Sequence, residues 1–132
     1  MKDLNIKKLK PMFTTVLTTL DVYEEDLVVD GVVKFPKGTL KTYQRVLAVG
    51  RSVSEIKEGD LVLINYFNYA IPKYKEGSVK NNVTTMEETI EFKFPKLVLD
   101  GKLVGKFQDR DVEGIIEEYE EVETEQAKKP LL

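Results

Sequence analysis

Two Asp-Gly pairs, each set between short apolar runs, constrain the fold of this chain more than any other feature. Asp30-Gly31 divides residues 27–35 (LVVDGVVKF), and Asp100-Gly101 divides residues 97–104 (LVLDGKLV). Aspartate and glycine both tolerate the positive φ angles that a two-residue type I′ turn requires. Each pair therefore predicts a β-hairpin with a tight turn.

Other short runs of β-branched and apolar residues extend the strand pattern over most of the chain. They are bounded by Pro11, by Gly50 and by the turn at residues 57–60 (KEGD), all of which interrupt strands. The expected strands are residues 12–22, 43–49, 61–64 and 90–94. Many short strands separated by turns are typical of a sandwich or a barrel. The sequence predicts an all-β fold, with at most one helical turn near the C-terminus, in residues 111–117.

The chain is expected to form one domain with an arm and a tail, because its 132 residues suit a single core. The N-terminal arm is residues 1–10, the barrel domain residues 11–124 and the C-terminal tail residues 125–132. Within the domain, residues 25–42 are expected to form a hairpin or loop, and residues 65–89 an insertion. Residues 65–71 are expected to be extended, and residues 75–85 to form a polar loop or an inserted excursion.

The composition argues against several classes of function. The chain has no histidine and no cysteine, so it lacks the usual general base, thiolate chemistry, disulfides and the commonest metal ligand. Phosphate-binding and dinucleotide-binding motifs are missing. The formal net charge of -3 argues against a nucleic-acid partner, and no apolar run approaches the ~20 residues that span a bilayer. We expect no enzymatic activity, no cofactor, no metal and no direct nucleic-acid or membrane partner.

Two acidic clusters allow a functional and a structural interpretation. Asp109 and Asp111 are suited to hold Ca²⁺ or Mg²⁺. The favoured interpretation is that one of them caps the short turn that follows, by accepting a hydrogen bond from a free backbone N–H. The glutamates of residues 117–125 are suited to an acidic metal or partner site, but a solvated, self-repelling strand edge and tail is favoured.

Four sequence blocks, in this order along the chain, resemble GroES-type co-chaperonins. Residues 10–17 (KPMFTTVL) are similar to the family's opening strand Lys-Pro-Leu-x-Asp-Arg-Val-Leu, and residues 46–50 match its Val-Leu-Ala-Val-Gly strand. Residues 56–64 (IKEGDLVLI) resemble Val-Lys-x-Gly-Asp-x-Val-Ile-Phe. Residues 108–117 (QDRDVEGIIE) are similar to the closing Glu-x-Asp-Ile-Leu-Ala-Ile-x-Glu. The resemblance covers about residues 10–118.

The resemblance implies a small antiparallel GroES-like β-barrel that forms heptameric rings. Neighbouring subunits of this family join through their first and last strands, which correspond here to residues 12–20 and 115–122. The resemblance therefore places four residues at a subunit interface, namely Met12, Val16, Ile115 and Ile116.

The family also has a mobile loop after the first strand, which binds a chaperonin through an apolar motif of the Gly-Ile-Val-Leu kind. The matching partner-binding residues here are Gly31, Val32, Val33 and Phe35, with Lys34 where the family has an apolar residue. This part of the chain departs from the family, because residues 27–35 have the pattern of an ordered hairpin. A mobile loop is expected to resist local structure until it binds.

A second departure lies in the hairpin that roofs the family's ring. Only residues 51–55 occupy its place, and extra sequence follows Ile64 instead. Phage-encoded co-chaperonins also shorten this hairpin, and the chain is similar to small proteins of gut-bacterial tailed phages, the crAss-like group among them. Aromatic residues of the extra sequence are candidate partner contacts, although packing in the barrel is the favoured interpretation for each. They are Tyr66, Phe67, Tyr69 and Tyr74.

Two hypotheses for the function follow, and both consist of assembly with other proteins. The favoured one is a phage structural protein, a GroES-like barrel that acts as an auxiliary (decoration) capsid subunit or a head-assembly subunit. The alternative is a co-chaperonin that caps a chaperonin while a capsid protein folds. Either role implies protein partners (capsid subunits or a chaperonin), a homo-oligomer, and a location in the host cytoplasm or the virion.

Overall fold

The computed structural model describes residues 1–80 and 83–123, and for residues 73–80 and 83–90 it describes the backbone alone. The described chain is all-β and antiparallel, which confirms the predicted class. The predicted tail, residues 125–132, lies outside the described residues. The strands are β1 (Thr15–Thr18), β2 (Leu27–Val29), β3 (Val32–Phe35), β4 (Tyr43–Val49), β5 (Leu61–Ile64), β6 (Ala70–Lys80), β7 (Val83–Phe92), β8 (Lys96–Leu99), β9 (Lys102–Gln108) and β10 (Val112–Ile115).

Six strands form one antiparallel sheet in the order β10-β5-β4-β1-β9-β8. The first strand, β1, lies inside this sheet between β4 and β9, and the edges are β10 and β8. Two further pairs, β2-β3 and β6-β7, form separate two-stranded sheets. Two short 3-10 helices, Tyr66–Tyr69 and Asp109–Asp111, follow β5 and β9.

The six-stranded sheet curls around one hydrophobic core, and we call this sheet with its core the barrel. Buried side chains from β1, β4, β5 and β9 meet in a single cluster. Tyr66, two residues after the end of β5, and Phe107 on β9 have ring centroids only 5.8 Å apart, although β4 and β1 separate β5 from β9 in the sheet. This short distance indicates that the sheet curves around the cluster. Burying a side chain of this size stabilises the fold by about 1.5–3 kcal/mol.

Both Asp-Gly turns form as predicted. The φ angles are 51° and 77° at Asp30 and Gly31, and 50° and 77° at Asp100 and Gly101. Positive φ at both central residues is the signature of the type I′ turn, whose twist matches that of the flanking strands. The pairs β2-β3 and β8-β9 are therefore fixed by short-range sequence. Gly59, with φ 91°, likewise makes the predicted turn before β5.

Gly50 ends β4 where two backbone segments touch. A Cβ atom at this position would lie 2.8 Å from the carbonyl oxygen of Met12, and closer still to that of Phe13. The Gly50 N–H donates a 2.8 Å hydrogen bond to the carbonyl of Thr15. The chain turns at Phe13, which has φ 55°, so β1 begins later than the predicted strand of residues 12–22.

The N-terminal arm lies against the barrel over part of its length. The carbonyl of Ile6 accepts a 2.7 Å hydrogen bond from the N–H of Asp100, and Ile6 and Leu9 are half-buried.

On β1, Leu17 points away from Val16 because successive strand residues face opposite sides. Leu17 is nevertheless fully buried, so the outer face of the sheet is also covered at this point.

The segment after β5 differs from the sequence expectations. Residues 65–71 are not extended throughout, because Tyr66–Tyr69 form a 3-10 helix that the Asn65 side chain caps by accepting a 3.0 Å hydrogen bond from the Phe67 N–H. Residues 75–85 form the predicted excursion but not a loop. They belong to the pair β6-β7, except for residues 81 and 82, which lie outside the described residues. Within the described chain, no helix is long and apolar enough to cross a membrane.

Candidate protein-binding surfaces

The candidate partner-binding motif lies on an ordered excursion of the chain, residues 21–41, which we call the extension. It leaves the barrel after β1, contains β2 and β3, and returns just before β4. Its two legs are joined at the root by backbone hydrogen bonds. The Tyr23 N–H donates to the Thr39 carbonyl and the Lys41 N–H to the Asp21 carbonyl, both at 2.9 Å. The extension is therefore a hairpin with a paired root, as its sequence predicts.

Gln44 fastens this root from inside the barrel. Its side chain is fully buried on β4. The Oε1 atom accepts hydrogen bonds from the Thr19 hydroxyl at 2.9 Å and the Asp21 N–H at 2.8 Å. The Nε2 atom donates to the carbonyls of Asp21 and Lys41 at 2.9 and 3.0 Å, and to the Tyr66 hydroxyl at 3.3 Å. A buried amide with every donor and acceptor satisfied favours one conformation of the groups around it.

Gln44 was missed by the sequence analysis, although one signal was available. It stands two residues before Val46, whose side chain lies in the core, so strand alternation places Gln44 on the same inward face. A polar residue at an inward position must find partners there, because an unpaired buried amide is costly. The partners themselves come from three other segments, namely Thr19, the root residues Asp21 and Lys41, and Tyr66, and a linear pattern does not reveal them.

The far end of the extension exposes apolar surface. Val29, Val32 and Val33 are 46%, 68% and 42% exposed, and the register pairs Val29 with Val32 across the two strands. Gly31 lies in the exposed turn beside them. The predicted residues Gly31, Val32 and Val33 are thus brought together at an accessible tip. Exposed apolar side chains grouped in this way indicate a surface for another protein.

Phe35 packs within the extension itself. Its ring is half-buried and stacks on Tyr23, with ring centroids 5.2 Å apart and planes 6° from parallel. The ammonium of Lys34 lies 5.6 Å from the Phe35 ring centroid. The Phe35 side chain therefore holds the two legs together at the root, whereas the other motif residues lie at the tip.

Of the aromatic residues after β5, Tyr66 belongs to the core. It is buried, and its ring centroid lies 5.8 Å from those of both Phe94 and Phe107. Its hydroxyl donates a 2.6 Å hydrogen bond to the Lys41 carbonyl. The prediction of a partner contact is wrong for Tyr66, because this side chain fills the barrel and its hydroxyl reaches the root of the extension.

Phe67 is the aromatic residue of this segment with the largest described exposed surface, at 69%. Its ring packs edge-on against Phe92 at a centroid distance of 5.4 Å. Ile71, two residues into β6, is 42% exposed. Both residues lie where the pair β6-β7 leaves the barrel. The side chain of Tyr74 lies outside the described residues.

Asp111 joins the two 3-10 helices. Its buried carboxylate accepts hydrogen bonds from the Asn68 amide at 2.8 Å, from the Gln108 N–H at 2.9 Å and from the Tyr69 hydroxyl. Asp111 is therefore a capping residue as predicted, but it caps the N–H group that precedes its own turn, and no turn follows it. The helical turn ends at Asp111, earlier than residues 111–117, because β10 begins at the next residue.

Burial raises the pKa of the two phenols that hold these networks. The pKa of Tyr66 rises to about 12, first through burial, with the charge of Asp21 adding to the rise and the hydrogen bond with Gln44 reducing it. The pKa of Tyr69 also rises to about 12, through burial and then through the hydrogen bond with Asp111 and its negative charge. Both hydroxyls are therefore neutral donors at neutral pH.

The four residues predicted at a subunit interface occupy different environments. Met12 is 59% exposed in the turn before β1, and Ile115 and Ile116 are half-buried at the end of β10. The prediction that Val16 lies at an interface is wrong, because strand alternation along β1 turns its side chain into the core. β1 also pairs on both sides, whereas β10 has a free edge among the described strands.

The chain that continues from β10 is exposed and acidic. Residues 117–123 include five glutamates together with Tyr119 and Val122, which are 54% and 78% exposed. The N-terminal arm carries exposed lysines at positions 2, 7, 8 and 10. Within the described part of the chain, no group of three or more histidine, cysteine, aspartate or glutamate residues is placed to hold a metal ion. The five glutamates of residues 117–123 are exposed to solvent.

No protein-family model matches the chain, and no curated protein matches it.

Proposed function

We propose that the chain is a non-enzymatic assembly protein of a bacteriophage, a GroES-like barrel that serves as an auxiliary capsid or head-assembly subunit. The observation that supports this proposal best is the extension, which is ordered at its root and apolar at its tip. The phage assignment rests on the sequence resemblance described above.

An ordered extension suits a permanent structural contact. Its root is fixed by Gln44 and by backbone pairing, so little conformational entropy is lost when the tip docks. A segment that folds only on binding must supply that ordering free energy from its contacts. Order in the free chain favours a subunit that presents Val29, Val32 and Val33 as a ready-made surface.

The size of the tip favours many copies acting together. Complete burial of the three exposed valines contributes only about 2–5 kcal/mol, which is too little for a stable complex of one copy. Several tips on one oligomer bind the same partner far more strongly, because each later contact is intramolecular. Among the described strands, β10 also has a free edge to which another chain can add.

A co-chaperonin is the second candidate, and it is favoured by one observation. Gly31, Val32 and Val33 match the chaperonin-binding motif in position, and Val32 is 68% exposed at the tip. The two functions differ in what the tip binds and in whether the extension is ordered beforehand.

Mass spectrometry of purified particles of the encoding phage tests the favoured function. We expect this chain to be present in a constant ratio to the major capsid protein, and its absence from the particles would rule out a virion role. Limited proteolysis of the free chain is the companion measurement. An ordered extension resists cleavage in residues 21–41, whereas a mobile loop is cleaved there and is protected by added chaperonin.

The double variant Val32→Asp/Val33→Asp identifies the partner. We expect it to fold and to lose binding to its capsid partner, because a charged aspartate is unfavourable where the valines become buried in the contact. The matched control is Val98→Asp/Leu103→Asp, which alters a similarly exposed cross-strand pair on the other Asp-Gly hairpin (55% and 54% exposed). Loss of chaperonin binding in the first variant alone would support the co-chaperonin.

A further inference from the structure

The pair β6-β7, which we call the ribbon, projects from the barrel as a separate sheet. β6 (Ala70–Lys80) and β7 (Val83–Phe92) pair only with each other among the described strands. The contacts of the ribbon with other described elements are few, and the element it contacts most is the 3-10 helix Tyr66–Tyr69 at its root. An isolated two-stranded sheet is only marginally stable in water. Its two long edges also offer unpaired backbone groups to another strand.

The two strands of the ribbon carry opposite charge. β6 has three lysines and one glutamate, whereas β7 has three glutamates and no lysine or arginine. One edge of the ribbon therefore belongs to a basic strand and the other to an acidic strand. The charged residues are Lys73, Lys75, Glu76 and Lys80 on β6, and Glu87, Glu88 and Glu91 on β7.

We propose that copies of this chain join head-to-tail through the ribbon, with β6 of one copy adding to β7 of the next. This inference rests on the proposal that the chain assembles with itself. Pairing of β6 with β7 places basic beside acidic strands, whereas β6 with β6 or β7 with β7 places like charges together. The charge pattern thus selects a heterologous contact, which closes into a ring or continues as a filament.

The root of the ribbon supports the same contact. Phe67 and Ile71 are 69% and 42% exposed there, and they lie where a neighbouring ribbon would begin to pair. Strand addition supplies backbone hydrogen bonds, and apolar side chains at the end of the new sheet add to the buried surface. A nucleic acid fits this surface less well than a second copy, because one of the two strands repels phosphate.

The contact is tested by changing the charge at positions whose cross-strand partners are uncharged. The substitutions then bring no like charges together inside the ribbon itself. In the backbone register Lys73 and Lys80 lie opposite Thr89 and Val83, so Lys73→Glu/Lys80→Glu makes both strands acidic. Glu88 and Thr84 lie opposite Tyr74 and Val79, so Glu88→Lys/Thr84→Lys cancels the negative charge of β7. Lys75 and Glu87, which lie opposite each other in the register, are unchanged in both variants. Lys2→Glu/Lys7→Glu, in the N-terminal arm, is the control for net charge.

Sedimentation velocity at low salt measures the self-association of the wild type and of each variant. Each ribbon variant alone is expected to self-associate at least about tenfold more weakly than the wild type, because the attraction between the basic β6 and the acidic β7 of neighbouring copies is lost. An equimolar mixture of the two variants is expected to associate more strongly than either variant alone, because β6 of the second variant stays basic and β7 of the first stays acidic. The arm control is expected to behave as wild type. Circular dichroism and hydrogen exchange of the barrel amides establish that each variant is folded.

Several outcomes would overturn the inference. If both ribbon variants assemble as the wild type does, or if folded variants do not assemble when mixed, the ribbon is not the contact between copies. In that case, presence of the chain in phage particles would still support the proposed function. A wild-type chain that sediments as a monomer at all concentrations and is absent from particles would contradict both proposals.

Discussion

Gln44→Leu removes the amide that fastens the extension while keeping a side chain of similar size. Two donors lose their acceptor in this variant, the Asp21 N–H and the Thr19 hydroxyl. The carbonyls of Asp21 and Lys41 each keep another donor, namely the Lys41 N–H and the Tyr66 hydroxyl. An unsatisfied buried donor costs about 1–3 kcal/mol, so we expect the free energy of unfolding to fall by about 3 kcal/mol.

Urea unfolding measures this loss, and limited proteolysis locates it. A loss of about 3 kcal/mol at the root raises the open fraction of the extension about a hundredfold, so cleavage within residues 21–41 accelerates by a similar factor. Gln108→Leu is the matched control. It removes the half-buried hydrogen bond that Gln108 accepts from the Thr14 hydroxyl at 2.7 Å, together with the one that its side chain accepts from the Asp111 N–H, and is expected to cost about 1–2 kcal/mol. Cleavage of the extension should not change in this control.

The claim that the Gln44 side chain holds the root of the extension is refuted if Gln44→Leu unfolds at the same urea concentration as the wild type and resists protease equally. Equal acceleration of cleavage in the Gln108→Leu control would also refute it, because the effect would then be general destabilisation.

Three further predictions concern the barrel. Asp111→Asn should lower the free energy of unfolding by about 2–3 kcal/mol, measured in urea, because an amide cannot accept from the three donors around a carboxylate. The raised pKa values of Tyr66 and Tyr69, about 12 against about 10 when unfolded, mean that stability is fully present below pH 10 and falls as pH rises towards 12. Thermal unfolding across this range should show the decline, with a smaller slope in Tyr69→Phe. Gly50→Ala should destabilise by at least about 2 kcal/mol in urea, because its Cβ meets backbone, whereas Gly114→Ala, with open space around it, should cost less than about 1 kcal/mol.

Local signals in the sequence were sufficient to predict the turns and the fold class. Asp30-Gly31 and Asp100-Gly101 determine their own φ angles, so the two hairpins depend on no distant contact. The strand β4 was also predicted at residues 43–49, because it is a continuous run closed by Gly50.

Features that depend on distant contacts were not predictable in the same way. Residues 65–71 were expected to be extended because aromatic residues favour strands. The helix Tyr66–Tyr69 forms there because Tyr66 fills the core and Asp111, far away in sequence, binds Asn68 and Tyr69. Tertiary contacts override a weak local preference in this segment.

The placement of interface residues illustrates the same limit. Val16 was assigned to an interface through its position in the first strand, but one residue of register decides whether a strand side chain faces the core or the surface. In contrast, the predicted partner-binding residues Gly31, Val32 and Val33 do lie at the exposed tip of the extension, because residues beside a tight hairpin turn project away from the core.

Residue-resolved hydrogen exchange of the free chain tests the central claim most directly, namely that the extension is ordered before any partner binds. The amides of Tyr23 and Lys41, which donate across the root, and of Asp21, which donates to Gln44, should be protected to nearly the same degree as the amide of Val46 in β4. Exchange of the three root amides at the rate of an unstructured peptide, with Val46 still protected, would contradict the account.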